Sequence, residues 1–258
     1  MADYGDMMIS RFFFRGAVFL MASGIPLSCS VEDRGSPPET GLEEWIELDW
    51  NAWEDDRGEW VEAARVFLDP SDPARLSEDT GEGAIVNGDK GDTVNLHSRF
   101  EHGDVEAHIE FMVPEGSNSG VYFQSRYEIQ VFDSWGVEEP GFSDCGGIYQ
   151  RWMDGEGFEG HAPRVNASRP PGEWQSLDVV FRAPRFEPDG KKVENARFER
   201  VSHNGLVVHE GVEVSGPTRA STFDDEAPAG PLMLQGDHGP VAYRNIRLRL
   251  LGVPNSGQ

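Results

Sequence analysis

Val105-Glu106-Ala107-His108-Ile109-Glu110-Phe111 is the stretch whose reading decides the fold class. Val105, Ala107, Ile109 and Phe111 take every second position, and Glu106, His108 and Glu110 take the positions between. A β-strand turns successive side chains to opposite faces, so this spacing predicts a half-buried strand rather than a helix. Downstream, residues 114–120 (PEGSNSG) read as a turn, and residues 121–124 and 127–131 as strands. In the second of these, Glu128 and Gln130 share the face opposite Ile129 and Val131. Further strands are expected at 175–182, 196–203, 205–214, 230–235 and 241–251, with His203-Asn204-Gly205 as a hairpin signal. Thirty glycines and seventeen prolines supply turns, and no segment keeps a long helical period. The pattern predicts an all-β, two-sheet antiparallel sandwich with one polar sheet face turned outward.

The chain of 258 residues divides into a leader (1–29), a flexible linker (30–47), the sandwich (48–253) and a short tail (254–258). In the leader, Arg11 and Arg15 precede an apolar run from Gly16 to Ala22 that is too short for a permanent span. Ile25-Pro26-Leu27-Ser28-Cys29 resembles a bacterial lipobox, which makes Cys29 the expected site of acylation and membrane attachment. An ordinary signal peptide is the alternative. Either reading exports the protein to the periplasm or the cell surface. The net charge of −24 disfavours nucleic acid as a partner. Only Lys90, Lys191 and Lys192 are lysines, and a surface so acidic and lysine-poor reads either as suited to high salt or as compositional drift toward arginine. Cys145 is the one cysteine within the sandwich, so neither a disulfide framework nor a cysteine zinc site is available there.

Several motifs, taken in order, resemble the 3-keto-disaccharide hydrolase (DUF1080) family. They are Gly116-Ser-Asn118-Ser-Gly120-Val-Tyr122-Phe-Gln124, then Tyr127-Glu128-Ile-Gln130-Val-Phe-Asp133-Ser-Trp135-Gly136, then Cys145-Gly-Gly-Ile-Tyr149. Asn166-Ala-Ser-Arg169-Pro-Pro-Gly172-Glu173-Trp174-Gln175 follows, and Leu234-Gln235-Gly-Asp237-His238-Gly239 through Tyr243-Arg244-Asn245-Ile246 closes the series. The family's opening segment survives only as Leu48-Asp-Trp50-Asn-Ala-Trp53. The resemblance implies a concanavalin A-like jelly roll that cleaves 3-keto-glycosides or 3-keto-disaccharides, by hydrolysis or by β-elimination.

A ketone at C3 of a sugar acidifies the C2 proton. A base can remove it, and the enolate can expel the group at C1. His238 is the first candidate base, because imidazole titrates near neutrality, and Asp237 beside it can orient the ring. Their alternative role is to hold the turn before the last strand. Glu128 and Asp133 form a second cluster, which could also serve a conventional two-carboxylate glycosidase. Tyr127 and Trp135 are expected to wall a sugar groove, and Gln130 and Gln235 are open between binding hydroxyls and serving as solvated strand ends. Arg244 is open between enolate stabilisation and structural ion pairing, and Asn118 between holding its turn and touching ligand. Glu106, His108 and Glu110 could share a cation, with a solvated strand face as the alternative. A divalent metal at Glu128, Asp133 or His238 is a further option, but the spacing does not require one. A noncatalytic carbohydrate-binding module on the same sandwich remains the competing class.

Overall fold

A computed structural model describes residues 44–252. The leader with Cys29, the first part of the linker and the tail lie outside the described residues. The strands are β1 Ile46–Glu47, β2 Val61–Asp69, β3 Asp72–Val86, β4 Leu96–His102, β5 Val105–Met112, β6 Asn118–Phe123, β7 Tyr127–Phe132 and β8 Arg151–Met153. Then come β9 Glu156–Phe158, β10 Gln175–Arg182, β11 Arg185–Phe186, β12 Lys192–Glu194, β13 Ala196–His203, β14 Leu206–Val214, β15 Gly230–Leu234 and β16 Ala242–Leu250. Among the described residues the helical content is one 3-10 turn, Trp50–Ala52, whose entry is capped by Asp49 accepting from Asn51 N at 2.9 Å.

The larger sheet runs β14-β13-β10-β5-β16-β3-β2, with β1 also on β16, and the smaller runs β4-β15-β6-β7. The pairings are antiparallel, as expected of an all-β sandwich. β5 keeps the predicted alternation: Val105, Ala107, Ile109 and Phe111 are buried between the sheets, and Glu106, His108 and Glu110 face out. From the smaller sheet, Val121, Phe123, Tyr127, Ile129 and Val131 meet them. The centre is aromatic, with Phe181 stacked on Phe123 at 5.2 Å and contacting Tyr127 and Phe198. Each such ring taken from water contributes about 1.5–3 kcal/mol, so this cluster fixes the sheets against each other.

Three differences from the sequence expectation have physical reasons. Ile46 and Glu47, assigned to the linker, pair with Leu248 and Arg247, because an apolar Ile at an open stretch of β16 completes the sheet. The long β2–β3 hairpin was not predicted; it packs Val66 and Leu76 against Met112 and Ala242 on the outer side of the larger sheet. Asn118, expected in a turn, begins β6 opposite Phe132. The predicted hairpin turn is present, with Asn204 and Gly205 both at positive φ (50° and 79°) as a tight turn between twisted strands requires.

Candidate active site

Glu128 sits on the outward face of β7, directly opposite Tyr122 of β6, which in turn lies opposite Met233 of β15. Met233 is paired with His97 of β4, so His97, Met233, Tyr122 and Glu128 form one row across the smaller sheet. A second row contains Gln235, whose N–H bonds Gly120 O at 2.9 Å, then Gly120 and Gln130. Gln130 Nε2 donates to Asn118 Oδ1 at 2.8 Å, tying both amides to this face. Gly120 is required here: a Cβ on it would collide with Glu128 Oε1 and lie 2.9 Å from Tyr122 Cε2. The missing side chain is the hollow that admits the carboxyl.

Loops cover the row. Glu128 N donates to Thr218 Oγ1 at 3.1 Å and Tyr149 N donates to Glu128 O at 3.2 Å, leaving Glu128 only 2% exposed. Burial drives its carboxyl up to about pH 8; the hydrogen bond from Tyr122 pulls the other way, and the negative charge of Asp237 pushes it up further. Burial and the Glu128 charge together hold the Tyr122 hydroxyl well above its usual range, so it stays protonated. Glu128 Oε2 has no hydrogen-bond partner among the described residues. A buried oxygen left in that state is costly unless something else reaches it.

Asp237 and His238 follow β15 and are exposed, with His238 Nδ1 donating to Asp237 Oδ1 at 2.6 Å. That bond fixes the tautomer and leaves Nε2 as the basic nitrogen. The structure therefore joins Glu128, Gln130, Asn118 and Gln235 on one sheet face, with Asp237 close enough to act on the Glu128 charge and His238 bonded to Asp237 on its exposed side.

Other candidates fall elsewhere. Asp133 accepts from Gly116 N (2.9 Å) and Trp135 N (3.3 Å), so both of its oxygens brace loop backbone. Tyr127 does not line a groove: odd-numbered positions of β7 face inward, its ring is fully buried against Phe181, and its hydroxyl donates to Glu226 at 2.8 Å. Trp135 is 57% exposed on the turn after β7. Arg244 lies on the outward face of the other sheet, paired to Glu110 at 2.6 Å and stacked 4.0 Å over Trp174. The two outward faces of a sandwich point away from each other, so Arg244 is a structural ion pair. The Glu106, His108 and Glu110 set is likewise spoken for, by Arg249, Asp178 and Arg244. No group of three or more His, Cys, Asp or Glu side chains arranged to hold a metal is present among the described residues. Cys145 is buried and its thiol is pushed up to about 12 by desolvation, as befits a packing residue.

Tyr122 and His97 belong to the row but were not singled out from sequence. Tyr122 stands two positions from Gly120 within a strand already read, and that spacing was the available signal. For His97 there was none, because β4 was not predicted.

A family model described as 3-keto-alpha-glucoside-1,2-lyase-like domain matches residues 44–249. A crystal structure from Parabacteroides distasonis, provisionally named a glycosyl hydrolase, is 28% identical with a TM-score of 0.59, over 80% of this chain and 84% of that one. A second, with the same provisional name and organism, is 19% identical with a TM-score of 0.53, over 81% of this chain and all of that one, and supports the fold alone. Among curated proteins none matches. The sandwich, its motif order and the length of the match agree: the chain belongs to the carbohydrate-active family of 3-keto-alpha-glucoside-1,2-lyase-like domains.

Proposed function

We propose that the protein cleaves 3-keto-glycosides by β-elimination, with His238 as base and Glu128 as acid. The observation that carries this reading is a fully buried carboxyl, raised to about 8 by desolvation, close enough to Asp237 of the exposed Asp–His pair to feel its charge. His238 Nε2 takes the C2 proton, and the electron pair of that bond enters the enolate of the C3 ketone. The enolate collapses to form the C1–C2 double bond as the C1–O bond breaks, and Glu128 gives its proton to the departing oxygen. The roles ask for a base that arrives unprotonated and an acid that arrives protonated, and burial holds the proton on Glu128. Tyr122 holds the Glu128 carboxyl in place, while Gln130, Asn118 and Gln235 offer amides to sugar hydroxyls. Addition of water to the unsaturated product completes net hydrolysis.

The test is to follow product release from a 3-keto-glucoside and from its unoxidised parent, using wild type, His238→Ala and Glu128→Gln. Turnover of the keto sugar alone, lost in both variants, is the expected result. Turnover of the parent sugar would instead indicate a conventional glycosidase, and binding without turnover of either a recognition module. We also infer, from the lipobox-like sequence, that the protein is exported and anchored through an acylated Cys29. Retention in the membrane fraction by wild type but not by Cys29→Ala is the expected outcome.

A further inference from the structure

The segment that covers Glu128 carries an arginine that the reaction above does not use. Thr218 accepts from Glu128 N, and the next residue, Arg219, has its carbonyl oxygen 3.4 Å from the Tyr122 hydroxyl. Its N–H bonds Gln150 O at 2.8 Å, which ties it to the chain leading into β8. The guanidinium lies 4.0 Å over the ring of Trp152, itself 45% exposed. The neighbouring arginines are neutralised: Arg126 by Asp225, Arg151 by Glu159 and Arg164 by Glu210. Arg219 makes no ion pair among the described residues, in a protein with 46 acidic side chains. Stacking on an indole holds a guanidinium flat and leaves its in-plane N–H fork free, and that fork matches a carboxylate in two parallel bonds. The indole beside it is the kind of surface on which a pyranose ring stacks.

We propose that Arg219 and Trp152 form a subsite for a carboxylate-bearing sugar, a uronosyl residue next to the ring that is cleaved. The proposal rests on the assignment of the Glu128 face as the reaction site. On a surface this negative an anionic ligand is repelled at long range, so an unpaired guanidinium beside the Glu128 face gives it a point of selective attachment. Arg219 is thus a specificity residue and takes no part in proton transfer.

Binding is measured in the Glu128→Gln background, which separates recognition from turnover. Two disaccharide ligands are compared by calorimetry, one ending in a glucuronic acid and the other in its neutral carboxamide. The expected result is at least tenfold tighter binding of the acid, falling to parity when Arg219→Met is added. Arg219→Lys, which keeps the charge and loses the fork, is expected to retain part of the preference. Equal binding of acid and amide in the parent, a preference that survives Arg219→Met, or no binding of either ligand overturns the proposal. A sulfate ester that binds more tightly than the carboxylate overturns it as well. Cleavage of a neutral 3-keto-glucoside by wild type would leave the elimination reading standing through any of these outcomes.

Discussion

Burial moves the Glu128 carboxyl from the ordinary carboxylate range to about 8, and each unit of such a shift corresponds to about 1.4 kcal/mol. The folded state binds this proton more tightly than the unfolded chain does. Its contribution to stability is therefore complete below the unfolded pKa and is lost as pH rises through the folded one. The thermal stability of wild type should fall between about pH 5 and about pH 9 more steeply than that of Glu128→Gln, which has no proton to lose. Parallel curves would mean that the carboxyl is ionised throughout. In the same window the rate of product release should fall above about pH 8, because the acid is spent before substrate arrives. Gly120 offers a second residue-scale test. Gly120→Ala forces its methyl against Glu128 and Tyr122, so it should cost about 1–3 kcal/mol of stability. The larger loss should be in kcat, on the order of 100-fold, since a displaced acid misses the departing oxygen. Urea unfolding and steady-state rates check the two effects separately.

At the scale of the strand, the same alternation that revealed β5 also explains what stayed hidden. β5, β10 and β13 bury one face and expose the other, so their sequences carry a period of two and their bounds were legible. In the β2–β3 hairpin Arg65, Ala74, Arg75, Glu78, Asp79 and Thr80 meet solvent, while Ala63, Val66, Leu76, Ala84 and Val86 are buried against the larger sheet. The register shifts around Ala63, so its buried positions do not recur at every second residue and the hairpin could not be read. Arg244 shows the companion limit. Its position before the apolar end of β16 was visible, but which sheet face it takes depends on the irregularity between Arg244 and Arg247, where Asn245 adopts φ 48°. That irregularity leaves Arg244 facing Glu110 on the side away from Glu128. Arg244→Gln should lower stability by about 1 kcal/mol, as a partly exposed ion pair permits, while product release is unchanged within about twofold. A large kinetic loss would return Arg244 to the reaction.

Across the whole molecule, the strands that bear Glu128, Tyr122 and Gln235 were legible, while β4 and the loops over Glu128 were not, because a covering loop has no periodicity and its contacts are made at long range. The same distinction between local and summed effects governs salt. The chain carries a formal charge of −24, and the ion pairs on its surface, such as Arg65–Asp79 and Arg164–Glu210, are exposed on both sides. Exposed pairs contribute about 0–1 kcal/mol each and weaken when screened. The unpaired carboxylates repel one another over the whole surface, and the screening distance shrinks from about 10 Å at 0.1 M salt to about 3 Å at 1 M. Added salt therefore removes more repulsion than attraction, since acidic groups outnumber basic ones by 46 to 22. The thermal midpoint in sodium chloride should rise between these two concentrations, by several degrees for a change on the order of 1 kcal/mol. A midpoint that falls would show that the pairs on the larger sheet, Arg244–Glu110 and Arg249–Glu106 among them, outweigh the net charge. The acidic surface would then be a matter of solubility rather than of stability in salt.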